Sequence, residues 1–250
     1  QPPDLTDNTW YWIQSNLLAR GKGYANPFYF LRAASPRSFQ PNPPHIDIDL
    51  LTRTYVDTAG AIQHSAGHPP GYTTYLAVFH LLGLHSPTAM RLASGFLGVA
   101  AAVGVALLAR RVSGSDRAGL LAGLFAAIYP NLWINDGLIL SESLAAPLIV
   151  YLLWCAYRLI ETPTWMRAAW MGLAVGLCCL TRSESQMYFV LFLPPLALWS
   201  CRHVALRQRV AVLAISTAVA IVVIAPWVGK NLTTFEHPVF LAIGAGFVLD

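Results

Sequence analysis

From about residue 88 onward, long apolar runs alternate with short polar breaks. The pattern marks spanning segments at 89–109, 118–134, 139–160, 166–181, 186–200 and 208–227. Crossing a ~30 Å hydrocarbon core takes about 20 residues, so the shorter runs must stand near the membrane normal or extend into the interface. Residues 1–88 are more polar and rich in proline. Within them, Trp10, Ile13, Leu17 and Leu18 recur at helical spacing, with Tyr11 and Trp12 beside them and Gln14, Ser15 and Asn16 on the other side. Asp7 opens this predicted helix, and Arg20, Gly21, Lys22 and Gly23 close it. At ~1.5 Å per residue it is roughly 20 Å long, too short to span. A short, two-faced, Trp-rich helix suits the membrane interface. The apolar run Tyr72–Leu84, entered through His68-Pro69-Pro70-Gly71, predicts a second interfacial helix. Between the two, Pro27, Pro36, Pro41, Pro43 and Pro44 break any periodicity, and the run at 45–57 fits a strand or a surface helix equally.

Composition turns this pattern into a class. Hydrophobic residues make up 56% of the 250 residues and charged residues 11%, against about 25% charged in an average soluble domain. Mean hydropathy is +0.51. The fold class is therefore an all-α polytopic membrane protein. A net charge of +4 would suit a nucleic-acid binder, but the basic residues are scattered singly between apolar runs, where they set topology. Across the turns, Arg110, Arg111, Arg117, Arg158, Arg167, Arg202, Arg207 and Arg209 fall on one side and Arg182 alone on the other. The positive-inside rule then puts residues 1–88 and the tail after Trp227 on the extracytoplasmic side. Cys155, Cys178, Cys179 and Cys201 lack metal-ligand spacing and read as buried small hydrophobes. The chain starts at Gln1 and stops at Asp250 as a loop begins, and we expect it to be part of a longer polypeptide.

An ordered series of short motifs runs along this frame: HPPGY, RLASGFLG, an ARR turn, a YP…SES turn, LTR at a helix end, and APW…KN…PV. In order and spacing they resemble the GT-C superfamily of polyprenyl-phosphate-sugar-dependent glycosyltransferases. The nearest branch holds protein O-mannosyltransferases and the lipid A aminoarabinose transferase. The resemblance implies a GT-C transmembrane module of about six spans (89–227), preceded by a large extracytoplasmic first loop with interfacial helices (1–88) that carries the catalytic face. It implies a second extracytoplasmic loop beginning at 228–250, a first transmembrane helix before Asp7, and a further C-terminal part.

Taken alone, Asp7 is an N-cap, an acid that accepts first-turn N–H groups and suits the helix dipole. The resemblance makes it the catalytic carboxylate that takes a proton from an acceptor hydroxyl. Asp4 reads as an ordinary loop acid. Glu142, in Ser141-Glu142-Ser143 at the outer start of a span, is a second catalytic candidate, because charge at the hydrocarbon edge needs a polar cavity or headgroups. Asp136 competes with it and also reads as a turn residue. Loss of a polyprenyl phosphate leaves negative charge that Arg or Lys can stabilise, which assigns Arg182 and Lys230, and secondarily His68 and Arg91, to the donor phosphate. For Arg182 and Lys230 the plain alternative is snorkelling at a helix end, and Glu184 can pair with Arg182. His45, His64, Asp47, Asp49 and Asp57 offer metal ligands without a spacing that names a site. The cofactor expectation is therefore open, a divalent cation included.

The expected function is transfer of a sugar from a polyprenyl-phosphate donor to a lipid, glycan or protein hydroxyl, with inversion and with Asp7 as general base. The expected setting is a bacterial inner membrane, with the site on the extracytoplasmic face, membrane lipids as partners and nucleic acid excluded. Two other classes compete: a transporter or flippase for lipid-linked sugars, which would place ionisable groups near mid-membrane, and a non-catalytic subunit of GT-C type.

Overall fold

The computed structural model describes residues 7–27, 64–235 and 238–242. The run at 45–57, Asp4, and the metal-ligand candidates His45, Asp47, Asp49 and Asp57 lie outside these residues.

Among the described residues the architecture is helical, as the apolar runs predict. Helix α1 spans Asp7–Ala19 and α2 spans Pro70–Leu81. Helix α3 is Pro87–Ser113, capped by Ser86 and closed by Gly114 at φ 68°. An N-terminal helix cap and a C-terminal left-handed glycine are the expected signals at these ends. Helix α4 (Asp116–Ile128) and helix α5 (Pro130–Leu138) follow, bent by 45° at the break between them. Pro130 has no N–H to continue α4, so the expected single span at 118–134 is broken there. Helices α6 (Glu142–Glu161) and α7 (Trp165–Thr181) form the next hairpin. A 3₁₀ turn (Ser183–Met187), the one-turn helix α8 (Tyr188–Leu191) and a π turn (Pro195–Ser200) come next. Adjacent Pro194 and Pro195 remove two ladder donors there, and the Cys201 N–H reaches back to the Leu196 carbonyl at 3.2 Å. Helix α9 runs Leu206–Thr234.

Three of these helices, α3, α6 and α9, are long and apolar enough to cross a membrane, and the bent α4–α5 pair makes a fourth crossing if it is one span. The other two expected segments fall on helix α7, which with 17 residues is a shorter apolar helix, and on the broken run 183–200. Lipid-facing surface is evident in Leu92, Phe96, Phe125 and Val222, each about two-thirds exposed. Such side chains suit hydrocarbon rather than water.

Two packed clusters fix the bundle. The larger joins α6, α7 and α9 through Leu152, Met171, Val175, Cys178 and Ala220, and all four cysteines are buried and free, as expected. Gly172 permits the close α7–α9 approach: a Cβ there would stand 2.3 Å from the Ser216 carbonyl. The smaller cluster gathers Trp10, Tyr11, Tyr72, Leu76, Met90 and Ile139, which docks α1 and α2 against the first turns of α3 and α6.

The end of α3, the α6–α7 turn and the start of α9 lie together. The arginine-rich turns therefore meet at one end, tied by Arg111 to Glu161 and by Gln208 Nε2 to the Pro163 carbonyl. We call this the basic end. Helices α1 and α2 cover the other.

Helix α1 departs from the two-faced expectation. Gln14, Ser15 and Asn16 are buried together with the apolar stripe. Gln14 accepts from Thr73 Oγ1 at 3.0 Å and from Trp10 Nε1 at 3.3 Å, and donates to the Ala25 carbonyl at 3.2 Å. Satisfied in this way, a polar residue can enter a core at little cost. The Ser65 N–H to Tyr24 carbonyl bond (2.8 Å) and the Ala25–His64 bridge tie residues 24–25 to residues 64–65.

Candidate active site

Four separate stretches converge at the end covered by α1 and α2. Asp7 is the first residue of α1, with its side chain largely exposed, and its Oδ1 lies 3.5 Å from His68 Nε2. His68 precedes Pro69 and Pro70; prolines stiffen this entry and fix its approach to α2. Its ring packs on the edge of Trp10 (centroids 5.5 Å apart) and on Tyr11 (5.0 Å). Burial lowers the His68 pKa below 6.5, although the nearby Asp7 and Glu142 carboxylates pull the other way. The ring is therefore neutral near pH 7.

Glu142 and Arg182 come from the facing ends of α6 and α7. Glu142 is the first residue of α6, and its Oε1 accepts from Arg182 at 2.5 Å. Arg182 ends α7, and its Nε lies 3.5 Å from Glu184. The turn into α6 is built on Ile139, a buried β-branched residue at φ 56°. A left-handed backbone at such a residue costs roughly 1–3 kcal/mol and persists only when packing holds it. Here Ile139 is wedged into the cluster with Trp10, Tyr11 and Tyr72.

Tyr11 links the two halves. It shares a packed cluster with Ile139, in the turn before Glu142, and burial raises its pKa to about 12, so the phenol stays neutral. Below it, the Tyr72 hydroxyl meets Ser94 Oγ at 2.6 Å, and the Tyr72 ring stands edge-on to Tyr11 at 5.0 Å. Sequence reasoning did not single out Tyr11, Ser141, Tyr72 or Ser94. A tyrosine in an apolar stripe carries no signal of what its hydroxyl reaches.

Asp7, His68, Glu142 and Arg182 are thus brought together, and the notion that Glu184 pairs with Arg182 holds. Lys230 sits beside them rather than among them. Helix α9 continues past residue 227 and carries Lys230 in its penultimate turn, so Lys230 lies within a helix instead of after one. Its ammonium is caged by Trp227 (4.7 Å), Phe235 (5.3 Å) and Tyr24 (5.7 Å), and no described carboxylate pairs with it. It stands on a groove of about 620 Å³ whose apolar wall includes Leu144, Leu148, Leu177, Leu180 and Val223 and whose edge includes Thr181. Arg182 is the next residue in the chain. Arg91, by contrast, lies exposed on α3, with no ion pair to a described residue.

The electrostatics are uneven. Arg182 pairs with Glu142 and Glu184 while Asp7 meets the neutral His68, so the cluster is net acidic while the groove beside it carries a cation. Among the described residues no group of three or more His, Cys, Asp or Glu is placed to hold a metal ion. Asp136, the alternative to Glu142, turns away from the cluster: it is buried against α3, where a Cβ on Gly98 would fall on its Oδ2.

Residues 67–229 match the model of the dolichyl-phosphate-mannose-protein mannosyltransferase family, well over half of the 250-residue chain. No curated protein and no solved structure gives a match.

Proposed function

The chain belongs to the dolichyl-phosphate-mannose-protein mannosyltransferase family, and from that premise we propose that this membrane glycosyltransferase moves a sugar from a polyprenyl-phosphate donor to an acceptor hydroxyl. One observation carries the assignment of the site. A solvent-reachable carboxylate, Asp7, is held at the same end of the bundle as the Glu142–Arg182 pair, beside an apolar groove with a cation at its edge.

The division of labour follows from the charges. The polyprenyl chain lies in the groove between α2, α6, α7 and α9, and Lys230 meets the phosphate. Lys230 is better suited to this than the more acidic surroundings of Arg182, whose guanidinium already serves two carboxylates. Arg182, adjoining Thr181 at the groove edge, offsets the charge that develops as the C1–O bond to phosphate breaks. The acceptor hydroxyl approaches Asp7, which removes its proton as the oxygen attacks C1 from the face opposite the phosphate. One displacement of this kind inverts the anomeric centre. His68 limits the freedom of the Asp7 carboxylate, and Tyr11 packs with Ile139 in the turn that presents Glu142. The positive-inside rule supports an extracytoplasmic site, because the arginine-rich turns lie at the far end.

The test is product analysis. Purified protein supplied with candidate polyprenyl-phosphate sugars and an acceptor should yield polyprenyl phosphate and an acceptor glycoside of inverted configuration, read by mass spectrometry and NMR. Lipid movement across vesicles without sugar transfer would favour a transporter instead.

A further inference from the structure

A second amphipathic recess lies at the basic end. Between the last turns of α6 and the first turns of α7 is a groove of about 510 Å³ lined by Tyr151, Trp154, Arg158, Thr164, Arg167 and Trp170, among others. Its polar rim is cationic. Arg158 forms no ion pair with a described residue. Arg167 uses one guanidinium nitrogen to cap the Arg158 carbonyl (2.5 Å) and the Thr162 carbonyl (3.4 Å). Its remaining N–H groups are not committed to described partners. Glu161, the last residue of α6, is neutralised by Arg111, whose guanidinium lies over the Trp154 ring, 5.2 Å from its centroid. The rest of the lining is aromatic and sulfur-bearing, with Tyr151, Trp154, Trp170, Cys155 and Met166.

We propose that this groove binds the phosphodiester headgroup of an anionic phospholipid in the leaflet at the basic end. Arg158 and Arg167 hold the phosphate, the Thr164 hydroxyl donates to it, and Tyr151, Trp154 and Trp170 flank the first methylenes of the acyl chains. Charge complementarity selects the occupant. Two guanidiniums without described carboxylate partners stand where a spanning helix meets the headgroup level, and a groove that continues down the helix face suits an acyl chain. The site is at the opposite end from Asp7 and owes nothing to the donor.

The experiment is native mass spectrometry of the purified full chain in a neutral detergent, titrated with phosphatidylglycerol or phosphatidylcholine. Phosphatidylglycerol should bind about tenfold more tightly. Arg158→Gln together with Arg167→Gln should remove that preference, while Arg202→Gln, an exposed arginine at the same end but outside the groove, should keep it. Equal binding of the two lipids would overturn the proposal, as would a loss in Arg202→Gln matching that of the double variant. Arg167 also caps helix carbonyls, so Arg158→Gln alone provides a variant that spares those bonds. It should weaken phosphatidylglycerol about threefold, and unchanged binding in it would equally overturn the proposal.

Discussion

Gly71 is where the packing of the site can be perturbed without touching its chemistry. It is the second residue of α2, and a Cβ there would stand 2.6 Å from the Leu180 carbonyl oxygen and 3.0 Å from Thr181 Oγ1. The obstacle is backbone, so α2 and the end of α7 must separate by about 0.4 Å to reach 3.0 Å and about 0.8 Å to reach an ordinary 3.4 Å contact. Overpacking of this kind costs roughly 1–3 kcal/mol. Alanine recovers about 1 kcal/mol of helix propensity over glycine, so Gly71→Ala should lose only about 0–2 kcal/mol of stability. The catalytic cost should be larger. His68 lies three residues before Gly71 and Arg182 two residues after Leu180, so the forced gap falls between the Asp7–His68 contact and the Glu142–Arg182 pair. A misplacement approaching 1 Å at reacting groups can cost on the order of 10²-fold in rate. Sugar transfer by purified Gly71→Ala should fall roughly 10- to 100-fold, with a melting temperature lowered by no more than about 8 °C. Gly95→Ala, on α3 where a Cβ meets nothing within 4 Å, should retain full turnover. Turnover of Gly71→Ala within twofold of wild type would refute the claim that the α2–α7 approach sets the site.

Two further outcomes follow from the same geometry. Glu142→Gln leaves Arg182 with Glu184 as its remaining acid; because both partners of the pair are more than a third exposed, the stability loss should stay near 1 kcal/mol, seen as a drop of about 2–4 °C in melting temperature. Its transfer rate should fall about tenfold or more, and an unchanged rate would show that the pair only braces the helix ends. His68 has its pKa lowered from 6.5 by burial, so its neutral form favours the folded state: that contribution is whole above pH 6.5 and is lost as pH falls through the lowered value. Protonated His68 would also draw on the Asp7 carboxylate, so a pH–rate profile should show an acid limb below about pH 6.5 that flattens in His68→Gln. An identical limb in that variant would assign it to another group.

Much of this architecture is written in the apolar runs. The helices α3, α6 and α9 stand where long hydrophobic stretches required them, and Pro130 and the Pro194-Pro195 pair carry the breaks that a plain hydropathy reading smooths over. The end of α9 was hidden because hydropathy declines after Trp227 while nothing stops the helix, so Lys230 moved from a loop onto a helix face. Periodicity puts the buried row Gln14, Ser15, Asn16 on the polar side of a two-faced helix because it records polarity, not partners. Thr73 and the Ala25 carbonyl, distant or irregular in the chain, satisfy Gln14. The charges at the site were legible individually, since each ends or begins a helix. Their convergence was legible only through the alternation of the spans, which brings the start of α6 to the end of α7. That alternation gives ends and not faces, and it could not separate exposed Arg91 from clustered Arg182.

The central claim rests on Asp7, and the direct measurement is sugar transfer from a polyprenyl-phosphate donor by Asp7→Asn, with thermal unfolding recorded on the same preparation. The carboxylate is largely exposed, and its only described ion-pair partner is His68 at 3.5 Å, so the substitution should leave the folded protein in place, with melting within about 2 °C of wild type. Transfer should fall by on the order of 10²- to 10⁴-fold, the usual contribution of a positioned base. A folded Asp7→Asn protein with near-normal turnover would contradict the account and remove Asp7 from the mechanism.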